Sequence, residues 1–266
     1  MAVSLRRRFP PISYDADARA LFTRMDAAGA PTTAARKVLI NDLIVGMKAD
    51  GDWAELDVLH VYAAHAAAAA PLNWIGNTST ATPAAAPTFT ADQGYDLNGS
   101  TQYINTNYTP SSDAVNYTQN SAVMGGYLRT YDTDTGLRCI LGGNDATQAI
   151  LLQRNATTGN ISIRVNCLDL TSLSSAVFTQ QLYSIKRTVS TECKYWIGGT
   201  EQTTAETRAS IGLPTISVKV GCNDNSGSRV NFLDGQVMLF YAGSGSVSIS
   251  NFLARINTFL TAIGAI

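Results

Sequence analysis

The sequence predicts a mainly β protein: an antiparallel sandwich preceded by a small three-helix module and followed by a short C-terminal helix. Three observations predict it. Apolar residues recur at helical spacing from Ala18 to Ala63, the period switches to two after the low-complexity stretch 77–87, and helical spacing returns at Phe252, Ile256, Phe259 and Leu260.

Residues 1–13 carry Arg6-Arg7-Arg8-Phe9-Pro10-Pro11, which cannot begin a helix and buries little. They read either as a disordered tail or as an extended basic arm. In the second reading Arg6, Arg7, Arg8, Phe9 and Pro10 dock on a partner, since prolines reduce the entropy lost on binding.

Residues 14–77 form the helical module. Ala18, Leu21, Phe22 and Met25 mark a first helix, started by Asp15 or Asp17 and ended by Gly29. Thr32 or Thr33 starts a second, striped by Leu39, Leu43 and Met47. Asp50-Gly51-Asp52 breaks it and opens a third through Trp53, Leu56, Leu59 and Ala63. Asn77 to Pro87 is a linker or surface crossing of Thr, Ser, Ala and Pro.

Residues 78–266 hold the strands and the last helix. Gly94 to Tyr108, GYDLNGSTQYINTNY, has the form of a hairpin turning at Asn98-Gly99. Ile161, Ile163, Val165 and Cys167 alternate with polar residues, as do Ile216, Val218, Val220 and Cys222, and Cys193, Tyr195 and Ile197. With further candidates at 122–130, 138–141, 148–154, 181–189 and 231–241, about ten short strands joined by turns imply an antiparallel sandwich.

The 266 residues are 45% hydrophobic and only 15% charged, with a net charge of -1. That balance gives no field to attract nucleic acid or a membrane surface. The four cysteines, Cys139, Cys167, Cys193 and Cys222, are widely spaced and mostly in the apolar phase of strands, which points to buried free thiols. No secretion signal is evident, so the chain is expected to fold in a reducing cytoplasm even if it works outside.

No catalytic signature emerges. The only histidines, His60 and His65, sit five apart on the expected third helix and cannot chelate together. The four glutamates form no paired-carboxylate run, and no serine elbow is present. Asp132, Asp134 and Gly136 make a fragment of a calcium loop without its closing ligands, an ordinary acidic turn first. No metal or other cofactor is expected. Asn144, Asp145, Asn223 and Asp224 read as loop tips first and ligand contacts second. Trp196 is out of phase with its buried neighbours, so it either faces solvent, where it would stack a sugar, or packs under another layer.

Asp96-Leu97-Asn98-Gly99-Ser100-Thr101-Gln102-Tyr103-Ile104 resembles the opening hairpin of concanavalin A-like, laminin-G-like jelly-roll sandwiches. Phe232 to Tyr241 resembles their closing strand, and Tyr195-Trp196-Ile197-Gly198-Gly199 the turn between them. Ala34 to Trp74 resembles the helical lead-in of tailed-bacteriophage virion proteins. The resemblance implies a non-enzymatic virion component in tail, collar, fibre or capsid decoration. Its arm and helices would contact other virion proteins, its copies would form a homo-oligomer, and its sandwich would face outward at the virion surface, where it can touch host glycans. The alternative is a dedicated glycan-binding adhesin using Trp196, Asn144, Asp145, Asn223 and Asp224. A polysaccharide depolymerase is the reading from another class.

Overall fold

Two of the three expected helices form. α1 (Ala16–Ala27) is capped by the Asp15 carboxylate, which accepts from Asp17 N. α2 (Ala34–Asp50) is capped by the Thr33 hydroxyl and ends at Gly51, whose φ of 83° is the left-handed C-cap conformation. The third helix does not form: Trp53–Glu55 is a single 3-10 turn, and Leu56–Val61 is a strand, β1. Leu56, Val58, Leu59, His60 and Val61 are all at most 2% exposed. A strand buried on both faces is apolar in both phases, so its spacing can be read as helical.

The computed structural model describes residues 13–131, 136–155, 159–173 and 178–266. The basic arm, except Ser13, and the Asp132/Asp134 loop lie outside the described residues. Beyond β1 come β2 (Thr82–Ala84), β3 (Thr88–Thr90), β4 (Gly94–Asn98) and β5 (Tyr103–Asn105), then the single turn α3 (Pro110–Asp113). β6 (Ala122–Leu128), β7 (Leu137–Asn144), β8 (Ala149–Asn155), β9 (Ile161–Val165) and β10 (Thr171–Leu173) follow. β11 (Gln181–Arg187), β12 (Glu192–Ile197), β13 (Thr200–Thr207) and β14 (Lys219–Val220) come next. The chain closes with β15 (Asn223–Asn225), β16 (Ser228–Val230), β17 (Asp234–Gly243) and α4 (Ile249–Ala262).

These strands make two sheets. The first runs β13-β12-β11-β6-β17-β4-β3, with β1 added alongside β17. The second runs β10-β9-β8-β7-β14-β5-β2, with the β15–β16 hairpin attached to β7. All ladders are antiparallel except a one-residue bridge, Asn225 to Asn144. Tyr183, Ile185 and Tyr195 of the first sheet and Ile104, Leu152, Ile163 and Val220 of the second belong to one buried cluster, each at most 1% exposed. The architecture is therefore the expected mainly-β sandwich with helices before and after it.

The helices form a third layer on the outer face of the first sheet. Tyr127 Oη donates to Asn257 Oδ1 at 3.1 Å, and Trp74 meets Phe259 edge-on. Arg255 of α4 binds Asp50 of α2 through both carboxylate oxygens, at 2.7 and 3.0 Å.

The opening hairpin is corrected. β4 pairs with β3 and β17 in the first sheet, whereas β5 pairs with β2 and β14 in the second. Asn98-Gly99 is a corner between sheets. Asn98 Oδ1 fixes it by accepting from the amides of Ser100, Thr101 and Gln102 at 3.0 to 3.1 Å. A tight turn between alternating segments is a local signal and does not say whether the flanking strands pair. The expected partnership of β4 with the closing strand does hold, with Asp234 opposite Asn98 and Val237 opposite Tyr95. Two further corrections are smaller. The linker 77–87 contains β2, and of the strand expected over 216–222 only Lys219 and Val220 join the sheet.

Candidate functional site

The outer face of the second sheet carries the polar chemistry. Lys219 lies opposite Asn105 on one side and Gly142 on the other, and Gly142 lies opposite Leu151. Because in-register neighbours share a face, these residues form one row pointing away from the core, while Ile104 and Val220 point into it. The β15–β16 hairpin folds over this row. Gly142 makes that possible: a Cβ there would lie 2.9 Å from Asn223 Cα.

Beneath the hairpin, Lys219 and Asp224 are each 4% exposed. Lys219 Nζ lies 3.0 Å from Asn105 Oδ1, 3.1 Å from Ser217 O and 3.5 Å from Asp224 Oδ2. Burial lowers the Lys219 pKa, and the Asp224 charge opposes that shift. Asp224 Oδ1 also accepts from Gly227 N at 2.9 Å, holding the hairpin turn. Asn223 Oδ1, buried beside Gly142, accepts no hydrogen bond from the described residues.

At the hairpin's open side Arg229 reaches Asp224 at 3.7 Å and lies over the Tyr103 ring, 5.7 Å from its centroid. Phe232 approaches the same ring at 6.4 Å. Asn231, next to it, donates to Gln153 Oε1 at 3.0 Å. The result is a half-exposed aromatic pair bordered by a guanidinium and side-chain amides, standing on a fixed ion pair. Rings offer a flat apolar surface, and guanidinium and carboxylate groups offer directional hydrogen bonds.

Four of the five residues expected to touch a ligand fall in this region. Asn223 and Asp224 are in the hairpin, and Asn144 donates to Asn225 Oδ1 at 3.0 Å. Asp145 is a loop clamp. Its two oxygens accept from Thr147 N and Oγ1, Gln148 N, and Thr215 N and Oγ1, all within 2.9 Å. Burial would raise its pKa, but those donated bonds hold it far below the usual carboxylate range.

Trp196 lies on the other side of the molecule. It is opposite Ser184, whose Oγ accepts from Tyr241 Oη at 2.7 Å, and Tyr241 stacks on α4. Trp196 therefore shares the helix-covered face of the first sheet, with Lys186 Nζ 5.6 Å above its ring. The ring is half-buried and packs against the margin of the buried cluster.

The histidines are not on a helix. His60 is a fully buried residue of β1, with Nε2 2.7 Å from Ser79 O and Nδ1 3.3 Å from Tyr62 Oη. His65 follows the strand, 3.1 Å from Ala30 O. Among the described residues no three His, Cys, Asp or Glu side chains converge as a metal site. Nor is any described helix long and apolar enough to cross a membrane.

Two cavities lie elsewhere. A cleft of about 360 Å³ is lined by Trp53, Asp57, Ile75, Thr78, Val115 and Asn116. Asp113 lines it as well, and both carboxylates are committed to structure: Asp57 accepts from Asn116 N, Tyr117 N and Tyr108 Oη within 2.9 Å, and Asp113 from Thr109 N and Ser112 Oγ at 2.7 and 3.0 Å. A groove of about 150 Å³ between α2 and α4 is lined by Leu39, Leu43, Arg255 and Phe259.

Sequence reasoning missed Tyr103, Lys219, Arg229 and Phe232. Lys219 sat in the polar phase of an expected strand and read as a solvated position. Only the return of the chain across the sheet buries it.

The chain matches no protein-family model and no curated protein. Among solved structures it is similar to a Trypanosoma rangeli sialidase mutant displaying trans-sialidase activity, at 10% identity and TM-score 0.54, over 84% of this chain and 39% of that one. It is similar to the HCR/D W1238A mutant at 11% identity and TM-score 0.54, over 78% of this chain and 53% of that one. The Ruminococcus gnavus IT-sialidase CBM40 aligns at 15% identity and TM-score 0.41, over 61% of this chain and 95% of that one. The chain thus spans about half or less of the two structures it matches at the higher score. At these identities the likenesses speak to the fold alone, a β-sandwich.

Proposed function

We propose that the chain is a non-enzymatic glycan-binding module whose sugar contacts lie on the outer face of the second sheet. The observation that carries this reading is the Tyr103 ring, half-exposed beside Phe232 and under Arg229 on the buried Lys219–Asp224 pair. A sugar ring rests its C–H face on an aromatic surface while its hydroxyls take hydrogen bonds from planar charged and amide groups. Asn223 and Asp224 shape this face from beneath, and Asn144 and Asp145 hold the adjoining loops. Trp196 is no part of it.

Glycan-array screening of the full chain, followed by calorimetry on the strongest hits, tests the proposal. Tyr103→Ala and Arg229→Ala are expected to weaken binding at least about tenfold each, the loss of roughly 1.4 kcal/mol. Absence of any glycan bound at millimolar concentration, or binding that survives both substitutions, overturns it.

The resemblance of residues 34–74 to phage lead-in segments favours a virion surface as the place where this module works. In that setting Arg6, Arg7, Arg8, Phe9 and Pro10 dock on other virion proteins, and copies occupy symmetry-related positions as a homo-oligomer. Unchanged incorporation into particles after deletion of residues 1–13 would refute the docking role.

A further inference from the structure

Arg187 is a buried cation that forms no ion pair with a carboxylate among the described residues. It lies at the end of β11 and is 0% exposed. Its Nε donates to Val165 O at 2.8 Å, and Nη1 donates to the carbonyls of Val189, Ser190 and Arg208 at 3.3, 2.8 and 2.9 Å. The remaining nitrogen, Nη2, donates to Cys193 Sγ at 2.9 Å. Among the described residues no Asp or Glu forms an ion pair with it. A guanidinium does not lose its proton in a protein, and carbonyl dipoles solvate a charge without neutralising it. Sulfur is the one ionisable acceptor in this shell.

That sulfur has a partner. Cys167 Sγ lies 3.7 Å from Cys193 Sγ, and the two residues are 1% and 0% exposed. We propose that Cys167 and Cys193 form a thiol–thiolate pair that neutralises Arg187 and serves as an oxidisable modification site. One proton shared between two sulfurs leaves one negative charge for one guanidinium. The hydrogen bond between the sulfurs draws Cys167 down to about 6 and pushes Cys193 up, with the Arg187 charge favouring the ionised form of both. Burial instead pushes up the other two thiols, Cys222 to about 12 and Cys139 well above its ordinary value.

The chemistry requires a two-electron oxidant, here a hydroperoxide. The thiolate sulfur attacks the terminal peroxide oxygen: an S–O bond forms, the O–O bond breaks, and the departing alkoxide takes a proton to leave as an alcohol. The second sulfur then displaces the hydroxyl from the sulfenic acid. An S–S bond forms, the S–O bond breaks, and the thiol proton leaves with the hydroxyl as water. The sulfurs lose two electrons and the peroxide gains them. The two sulfurs close from 3.7 Å to a disulfide length of roughly 2.05 Å by side-chain rotation. Cys167 follows β9 of the second sheet and Cys193 belongs to β12 of the first, so the bond staples the sandwich across its core.

Two measurements on the full chain test this. Thiolate absorbance near 240 nm is expected to show about one equivalent per chain titrating well below the ordinary thiol value of about 8.5. Cys167→Ser and Cys193→Ser are each expected to abolish it. Treatment with tert-butyl hydroperoxide at neutral pH is expected to remove about 2 Da from the intact mass. Peptide mapping then joins Cys167 to Cys193, while Cys139 and Cys222 stay reduced over times at least about tenfold longer. Wild-type protein with no thiolate below pH 8.5 overturns the proposal, and needs no variant that might misfold. So does an oxidised product in which these two cysteines are not joined.

Discussion

Tyr241 of β17 stacks on Phe252 of α4 with ring centroids 4.2 Å apart, and its hydroxyl donates to Ser184 Oγ at 2.7 Å. One ring thus couples the helical layer to the central strand, while its polar tip is satisfied inside the sheet. Phe252 is itself 0% exposed. Phe252→Ala is expected to cost about 3–5 kcal/mol, the range for deleting a buried aromatic and leaving its cavity. Urea unfolding followed by circular dichroism measures it, and a loss below about 1 kcal/mol would mean that α4 contributes little to the sandwich.

Gly142 is the second test of how the layers fit. Placing a Cβ 2.9 Å from Asn223 Cα pushes the β15–β16 hairpin off the sheet and separates Lys219 from Asp224. Gly142→Ala is expected to cost about 1–3 kcal/mol through overpacking and to weaken glycan binding alongside. Parallel unfolding and calorimetry would separate the two effects. Wild-type affinity in a destabilised variant would show that the hairpin's seat does not matter to the ligand.

Trp196→Ala is expected to behave in the opposite way. The ring packs against the core margin and under Lys186, so its loss costs about 1–3 kcal/mol of stability. Glycan affinity is expected to stay within about twofold, since the ring lies on the other face. A strong loss of affinity would move the site to the first sheet.

His60 sets a pH dependence. Burial lowers its pKa to about 4, against about 6.5 when unfolded. Between those values the unfolded chain holds a proton that the folded chain does not, so stability rises with pH in this window and is lost as pH falls through it. At pH 5 the expected loss relative to pH 8 is about 2 kcal/mol. Unfolding at the two pH values measures it, and imidazole NMR shifts that stay in the neutral form at pH 5 assign it to His60.

The chain's architecture was legible where burial is one-sided. β12 and the C-terminal helix each bury one face, and β9 alternates apolar with polar residues although Ser162 is buried too, so their period shows in the residues themselves. β1 hides because both its faces are covered, and an apolar run of that kind fits either element. The Asn98-Gly99 turn was legible as a turn but not as a corner, because sheet membership depends on partners more than a hundred residues away, Asp234 for β4 and Lys219 for β5. The same distance hid the face proposed to bind sugar. Tyr103 and Arg229 meet only once β15–β16 has folded over the second sheet, so neither has a local signature, whereas the Trp196 signal is local and belongs to a residue of the first sheet.

β17 also separates the entry of the described chain from the Tyr103 face. Leu56 pairs with Gly243 at the end of that ten-residue strand, and Asp17 accepts from Trp53 Nε1 just beside it, so the described chain enters at this pole. Asp234, at the strand's other end, pairs with Asn98 of the corner that leads into Tyr103. At about 3.3 Å per residue the two ends stand about 30 Å apart. A tether made through the segment before Ser13 would therefore leave the aromatic face at the free end, a bracket with its foot and its fingertip at opposite extremes.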